Sequence, residues 1–337
     1  MSLNPDITFI IPFYNEESFL GRMLKSLEIQ NLDKIIIEVI LVDGKSSDKS
    51  CKVISDFISN SLNKNVHYKI LPNEKRKTSY GFNLGIKYAN ANIIGFGGAH
   101  CIYPDDLFKN VIDIFKNIDA DVIGGGHKNM IPDKTGIFSK ALSALYVSPF
   151  GAGVAAYHRK SKAGYVDTVF GGFYKRSIFE DIGNFDNNLD RGQDFELNAR
   201  IKKAGYKIYF DPKLNNDYII KTNAFYYMKR AFNTGRSLPK AWFMDINNFS
   251  LRHFIPFCFF VYILILITAQ LLGYDILIIK IPFILYCISI LFSSLWLIFT
   301  KNFGFSGILT IPIFFLYHLT YGLGTMIGLF KNVKIKL

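Results

Sequence analysis

Charge is missing from the last quarter of this chain. Between Phe254 and Phe330 only Asp275, Lys280 and Lys301 carry it. Three apolar runs fill that stretch, Phe254–Leu272, Pro282–Phe299 and Phe305–Phe330, each long enough to cross a bilayer core. A buried core hairpin is the rival reading, and three such runs in succession argue against it. The chain reads as a membrane protein with a large soluble head. Nearly all of the formal net charge of +12 belongs to that head and to the Lys331, Lys334, Lys336 tail.

Other things are scarce too. The amino terminus, MSLNPDITFIIPFYNEE, lacks the basic segment, apolar stretch and cleavage site of a signal peptide, which leaves the head in the cytoplasm. There are four cysteines: Cys51 and Cys101 in the head, Cys258 and Cys287 in the apolar runs, with no disulfide or metal spacing. No stripe of Lys and Arg stands out, which argues against nucleic acid as a partner. Attraction of the basic excess to anionic lipid is the simpler reading.

What is present is organised around IIIEVILVDGKSSDKS, Ile35 to Ser50. A continuous apolar run of this length predicts a strand buried on both faces of a parallel sheet, ending at Asp43. Asp48 is suited to cap the helix that follows, to about Asn60. Asp43 then sits at the carboxyl end of a central strand, where open α/β sheets bind ligands. A carboxylate there can accept hydrogen bonds from a nucleobase or ribose, or it can merely shape the turn. Strands are also expected at Ile7–Pro12, Val66–Leu71 and Ile93–Gly97. Helices are expected up to about Gln30 and over Thr78–Asn90 and Pro104–Lys116. This β–α alternation predicts a mostly parallel sheet with helices on both faces.

Several stretches carry a family resemblance. PFYNE at 12–16, DGKSSDKS at 43–50 and NLGIKYA at 83–89 resemble the nucleotide-sugar glycosyltransferases of family 2, which have the GT-A fold. SPFGAG (148–153), VDTVFGGFYKR (166–176) and RGQDFELNARIKKAG (191–205), followed by apolar runs, resemble the membrane-bound succinoglycan-type glucosyltransferases. The resemblance implies that Pro12, Tyr14, Glu16 and Asp43 hold the nucleoside of a donor, usually a UDP-sugar. Ser46, Arg76, Asn83 and Gly98 would complete the nucleotide-sugar site, with Arg76 toward the phosphates.

It also implies that Asp194 is the general base that takes the acceptor's proton; by itself the residue would read as a helix N-cap. The family often has a second acid next to this Asp, where this chain has Phe195, with Glu196 one place further on. At the metal position family 2 usually has Asp-x-Asp, and the closer subgroup Asp-x-His; here the residues are Gly98, Ala99 and His100. His100 is the candidate ligand for a divalent metal, Mg or Mn, and the missing acid leaves metal dependence open.

The expected organisation is a cytoplasmic GT-A domain over residues 1–221, an interfacial amphipathic segment over 222–250 and a transmembrane region of about three helices over 251–337. The middle segment mixes Phe225, Tyr226, Tyr227, Phe232, Trp242 and Phe243 with Lys229, Arg230, Arg236 and Lys240, a composition that suits a headgroup layer; a packed core helix is its rival. Three spans would place the carboxyl terminus outside, against the preference of its lysines for the cytoplasm. The resulting expectation is an inverting transfer of sugar to a lipid-linked glycan acceptor in polysaccharide synthesis. A polyprenyl-phosphate sugar synthase and a non-catalytic nucleotide-sugar-binding membrane protein are the alternatives.

Overall fold

The computed structural model describes residues 4–131, 136–148, 150–151, 162–189, 193–221, 223–244, 254–274 and 276–333. They divide into two compact units, the first running to Met130 and resuming before Ile219, the second holding the remainder.

In the first unit the apolar runs become strands and the segments between them become helices. In chain order these are β1 (Ile7–Phe13), α1 (Glu17–Glu28), β2 (Ile37–Asp43), α2 (Ser50–Asn60), β3 (Val66–Pro72), α3 (Thr78–Tyr88), β4 (Ile93–Phe96), β5 (Cys101–Ile102), α4 (Leu107–Asn117), β6 (Val122–Gly125) and β7 (His127–Met130). After α5 (Ile137–Val147), which belongs to the second unit, come β8 (Gly164–Tyr165), β9 (Phe170–Lys175), α6 (Arg176–Ile182), α7 (Gln193–Lys203), β10 (Ile208–Phe210) and β11 (Asn216–Ile219). Among the described residues one sheet has the order β3-β2-β1-β4-β9-β6-β10-β8, and a small sheet has the order β5-β11-β7. β1 to β4 are parallel, while β9 runs antiparallel to both β4 and β6, so the sheet is mixed.

The continuous apolar pattern of β1 and β2 is explained by burial on both faces. Ile10 joins Phe82, Phe96, Phe179 and Leu197 in the core under α3, α6 and α7. On the other face Phe9 packs its ring 5.1 Å from Tyr103, 5.4 Å from Phe108 and 5.6 Å from Phe173. The strand ending in Asp43 is not central, however. β2 lies second from the edge, and β1 holds the inner position between β2 and β4. The reason is visible in β3, where only Val66 and Leu71 are buried, as suits a strand at the sheet margin.

α3 approaches β1 closely because it carries glycine where the two meet. A Cβ at Gly81 would stand 3.2 Å from the Pro12 ring, and one at Gly85 would collide with the Ile10 side chain. The slim face therefore runs through Gly81 and Gly85, one helical turn apart. At the other end of the strands the buried Glu38 carboxylate is satisfied by the Thr8 hydroxyl at 2.7 Å and by the Asn90 N–H at 2.9 Å and amide at 2.6 Å.

The second unit contains α5, α8 (Ala224–Met244), α9 (Ile255–Leu271), α10 (Leu277–Thr300) and α11 (Thr310–Val333). α5 sits in sequence within the stretch expected to be all head, yet it folds with the late helices. Its residues Ala141 to Leu145 are all buried, which a helix on a domain surface would not be. α8 packs along α11 through glycine: Cβ atoms at Gly324 and Gly328 would strike the backbone of Phe232 and Arg236, and one at Gly235 that of Tyr321. Leu277–Thr300 and Gly304–Phe330 are long and apolar enough to cross a membrane, and α9, with 17 residues, is shorter.

Gly85→Val should lower the unfolding midpoint of the full chain in detergent, by the equivalent of about 1–3 kcal/mol from overpacking against Ile10. An unchanged midpoint would show that α3 can move off β1 without cost.

Candidate active site

The carboxyl ends of β1 and β2 continue into two loops that bond to each other. The Gly44 N–H donates to the Phe13 carbonyl at 2.8 Å. The Asn15 N–H donates to the Ser46 hydroxyl at 3.0 Å, and the Ser47 N–H returns to the Asn15 side-chain oxygen at 2.8 Å. The Glu16 N–H donates to the Ser50 hydroxyl at 2.8 Å and the Glu17 N–H to the Asp48 carboxylate at 3.1 Å, while the Lys49 N–H donates to Glu17 at 2.8 Å. Asp48 also accepts from the Ser50 N–H at 3.0 Å, so it serves the start of α2 and the start of α1 together.

Three non-glycine residues here adopt left-handed backbone, Asn15 (φ 52°), Lys45 (φ 62°) and Arg76 (φ 58°), one beyond each of β1, β2 and β3. Such conformations are unfavourable for these residue types and persist only where surrounding bonds enforce them. The bonds are present. The Asn73 N–H donates to the Asp43 carbonyl at 2.7 Å, Lys45 pairs with Glu74, and the Arg76 guanidinium lies 5.9 Å from the centre of the Tyr14 ring. Asp43 accepts the Ser46 N–H at 2.9 Å on one oxygen and the Cys51 thiol at 3.4 Å on the other. Burial and the Asp43 carboxylate push the Cys51 thiol above its ordinary pKa, which keeps it a donor. Tyr14 remains 47% exposed, leaving ring surface for stacking.

β1 is flanked by β2 on one side and β4 on the other, so the chain reverses its direction of travel across the sheet between β1 and β4. Open sheets bind ligands in the crevice at such a switch point. The crevice residues are Glu16, beyond β1, and the turn Gly97 to His100, beyond β4. Glu16 is 7% exposed, and its carboxylate faces the His100 imidazole with Nδ1 3.7 Å from Oε1. The turn is held from below by Tyr103, whose hydroxyl accepts the Gly98 N–H at 2.8 Å and donates to the Gly98 carbonyl at 3.0 Å. It is held from the side by β11, whose Ile219 N–H donates to the His100 carbonyl at 2.9 Å. The Tyr218 ring then packs 4.6 Å from His100, and His127 of β7 packs 4.9 Å from Tyr218 and 4.3 Å from Phe170.

Tyr218 and His127 were not foreseen from sequence. They reach the crevice through pairings between β5, β7 and β11, strands of two to four residues that leave no periodic signal.

Pro12, Tyr14, Glu16, Asp43, Ser46, Arg76, Gly98 and His100 thus gather along the carboxyl ends of β1, β2, β3 and β4. Asn83 lies apart from them: its amide oxygen accepts the Phe185 N–H at 3.0 Å, and its amide nitrogen donates to the Phe185 carbonyl at 2.9 Å and to Asn187 at 3.0 Å. It braces α3 to the segment before α7. Asp194 is the second residue of α7, exposed, and inside the helix rather than at its cap. Its charge bears on Tyr174 of β9, whose hydroxyl burial, reinforced by Asp194, pushes above the ordinary range. Glu196 is held by Arg200 in a two-pronged pair at 2.5 and 2.8 Å. Residues 190–192 and the Phe195 side chain lie outside the described set.

Among the described residues no group of three or more His, Cys, Asp and Glu side chains could hold a metal ion. The Glu16–His100 pair offers two donors, which fits a divalent cation that draws its remaining ligands from a diphosphate.

A mixed sheet with a switch-point crevice is an architecture that many activities share, and the comparisons narrow it. The chain belongs to glycosyl transferase family 2, whose model matches residues 8–183. It is 29% identical over 330 residues to the dolichyl N-acetyl-alpha-D-glucosaminyl phosphate 3-beta-D-2,3-diacetamido-2,3-dideoxy-beta-D-glucuronosyltransferase of Methanococcus voltae, covering 97% of this chain and 98% of that one. It is 22% identical over 251 residues to the succinoglycan biosynthesis protein ExoA of Rhizobium meliloti, covering 73% of each. Among solved structures, the mannosyltransferase PcManGT of Pyrobaculum calidifontis, in complex with GDP-Man and Mn2+, superposes with a TM-score of 0.59 at 14% identity, covering 95% of this chain and 88% of that one. The fold is thereby that of the GT-A glycosyltransferases, and the protein is a glycosyltransferase.

Asp43→Ala should weaken binding of a nucleoside diphosphate by about 1–3 kcal/mol, the cost of leaving its partners unsatisfied. Unchanged affinity in calorimetry on a folded variant would reduce Asp43 to a turn residue. A second expectation concerns acid. Burial pushes the Asp48 carboxyl up, but hydrogen bonds from the Ser50 hydroxyl and N–H and from the Glu17 N–H outweigh it and hold the group below its ordinary value. A depressed carboxylate stabilises the fold above its unfolded pKa of about 3.9, and that contribution is lost as pH falls through the folded value. Asp48→Ala should therefore lose less stability than the parent as pH falls from about 5 through the folded value. Parallel pH profiles for the two proteins would count against the stitch.

Proposed function

We propose that the protein is an inverting glycosyltransferase that moves a sugar from a nucleoside-diphosphate donor, a UDP-sugar, to a lipid-linked glycan acceptor. The observation that carries this reading is the junction at the strand ends: Tyr14, Asp43 and Arg76 on the nucleoside side, Glu16 and His100 on the diphosphate side. The lipid-linked acceptor is supported by the Methanococcus voltae relative, whose name specifies a dolichyl-linked sugar phosphate and which matches nearly the whole chain.

In this reading the base stacks on the Tyr14 ring and Asp43 accepts its donors, while Arg76, already facing Tyr14, reaches the phosphates. Glu16 and His100 would hold Mg or Mn, which when bound offsets the charge that develops on the leaving diphosphate. Asp194 takes the proton from the acceptor hydroxyl as that oxygen attacks the anomeric carbon. The bond from that carbon to the diphosphate oxygen breaks, and the electron pair leaves with the nucleoside diphosphate. A single displacement from the opposite face inverts the anomeric configuration. α9, α10 and α11 cross the cell membrane in this reading, and the first unit works on the cytoplasmic side.

Asp194→Asn should lower transfer by roughly 10²–10⁴-fold while donor binding survives, because the amide keeps the shape and cannot take the proton. Transfer within a few fold of the parent would remove Asp194 from the chemistry.

A further inference from the structure

The second unit contains a polar cluster for which the transfer chemistry of the first has no use. Tyr146 of α5 and Tyr227 and Arg230 of α8 meet there. The Arg230 guanidinium contacts the Tyr146 hydroxyl, and its carbon lies 4.9 Å from the centre of that ring. The rings of Tyr146 and Tyr227 stand 5.6 Å apart, edge to face. Tyr227 is 1% exposed, and its hydroxyl makes no hydrogen bond among the described residues.

A buried hydroxyl without a partner is costly, and native structures rarely keep one without a use for it. Here it stands one helical turn from a guanidinium, and Arg230 and Tyr146 each keep a small part of their surface exposed. The surroundings decide the sign of the ligand. Arg230 carries the charge of the cluster, and Lys229 and Arg236 lie on the same helix. A guanidinium attracts an anion, and its planar fork matches the paired oxygens of a carboxylate or a phosphoryl group. The same helices expose large apolar side chains close by, Phe225 at 75% on α8 and Leu316 at 52% on α11. Phosphoryl oxygens and an alkenyl chain on one molecule are what a prenyl-linked acceptor offers.

We propose that Arg230, with the hydroxyls of Tyr227 and Tyr146, binds the phosphoryl group of the prenyl-linked acceptor. The assignment rests on the lipid-linked acceptor proposed above and adds to it the residues that hold the lipid's phosphate. Arg230 and Tyr227 are binding residues here: the reacting hydroxyl belongs to the sugar beyond the phosphate, and no proton moves at this cluster.

The test uses the full chain in detergent with farnesyl diphosphate as the probe, measured by calorimetry, and UDP as the control for a folded first unit. Arg230→Gln should weaken farnesyl diphosphate binding about tenfold or more, since it removes a charge-assisted pair. Tyr227→Phe, which removes one oxygen and keeps the ring, should weaken it by about three- to tenfold, and neither change should alter the affinity for UDP. In the transfer assay the acceptor KM should rise by the same factors while the donor KM stays put. Parental affinity for farnesyl diphosphate in both variants would overturn the assignment. If Arg230→Gln also loses UDP binding, Tyr227→Phe decides alone. Displacement of the probe by inorganic diphosphate or by phosphatidylglycerol at equal concentration would assign the cluster to free phosphate or to bulk headgroups, and would likewise overturn it. Should both variants keep parental constants while the parent transfers sugar to a lipid-linked acceptor, only this assignment falls. If the parent uses no lipid-linked acceptor at all, the acceptor reading falls and takes this one with it.

Discussion

Everything at the nucleotide end of the first unit depends on the exchange of hydrogen bonds between the loops after β1 and β2. Six backbone N–H groups, from Gly44, Asn15, Ser47, Glu16, Glu17 and Lys49, find acceptors across that seam. Each such bond contributes only about 1 kcal/mol net, so none of them holds the seam alone. Their effect is collective and geometric. They keep Asn15 and Lys45 in backbone conformations that neither residue prefers, and those conformations bring Tyr14 and Glu16 out from one strand end and Asp43 from the next. The short polar side chains of DGKSSDKS and FYNEE matter because they can accept a backbone N–H where no strand or helix supplies a carbonyl.

The second constraint is long-range. His100 lies beyond β4, and its aim toward Glu16 depends on β11, which arrives from the far end of the unit to bond its carbonyl and lay Tyr218 against its ring. Tyr103 completes the support by closing the Gly98 turn from beneath. The two halves of the crevice are therefore fixed in different ways, the Tyr14 and Asp43 side by neighbouring loops and the His100 side by residues more than a hundred positions apart in sequence.

That difference explains what could be read from the sequence. β1, β2 and β4 were visible because a buried strand has to be apolar along its whole length, and Asp43 stood out as the carboxylate that ends such a run. The residues of the loop seam were visible as an unusual density of Ser and Asp. The edge-ward place of β2 was not, because a run buried on both faces looks the same whether it lies in the middle of a sheet or one strand in. Tyr218 and His127 were hidden because their strands are too short to show a period. α5 was hidden for another reason: its partners are the late helices, and nothing local marks an apolar helix as belonging to a unit that begins some eighty residues later. The partners of Asn83 were hidden as well, since its side chain serves Phe185 and Asn187 in a segment with no sequence link to it.

Two adjacent glycines at the crevice differ in a way that bears on the chemistry. Gly97 is required by packing, because a Cβ there would run into the Tyr103 hydroxyl and the Phe9 ring. Gly98 is not required in that sense. Its backbone is outside the left-handed region, and a Cβ would meet only the Cys101 sulfur, at 3.1 Å, which a shift of a few tenths of an ångström relieves. The position at which family 2 usually carries the first acid of its metal motif could thus accept an acidic side chain here and does not have one. A second carboxylate on the turn that already faces Glu16 would disfavour the charged form of both and would repel a diphosphate unless a cation lay between them. With an imidazole opposite Glu16 and no acid at 98, that repulsion is smaller. In the proposed reading the demand on a bound cation would fall with it, and more of the work of holding the phosphates would pass to Arg76 at the neighbouring strand end.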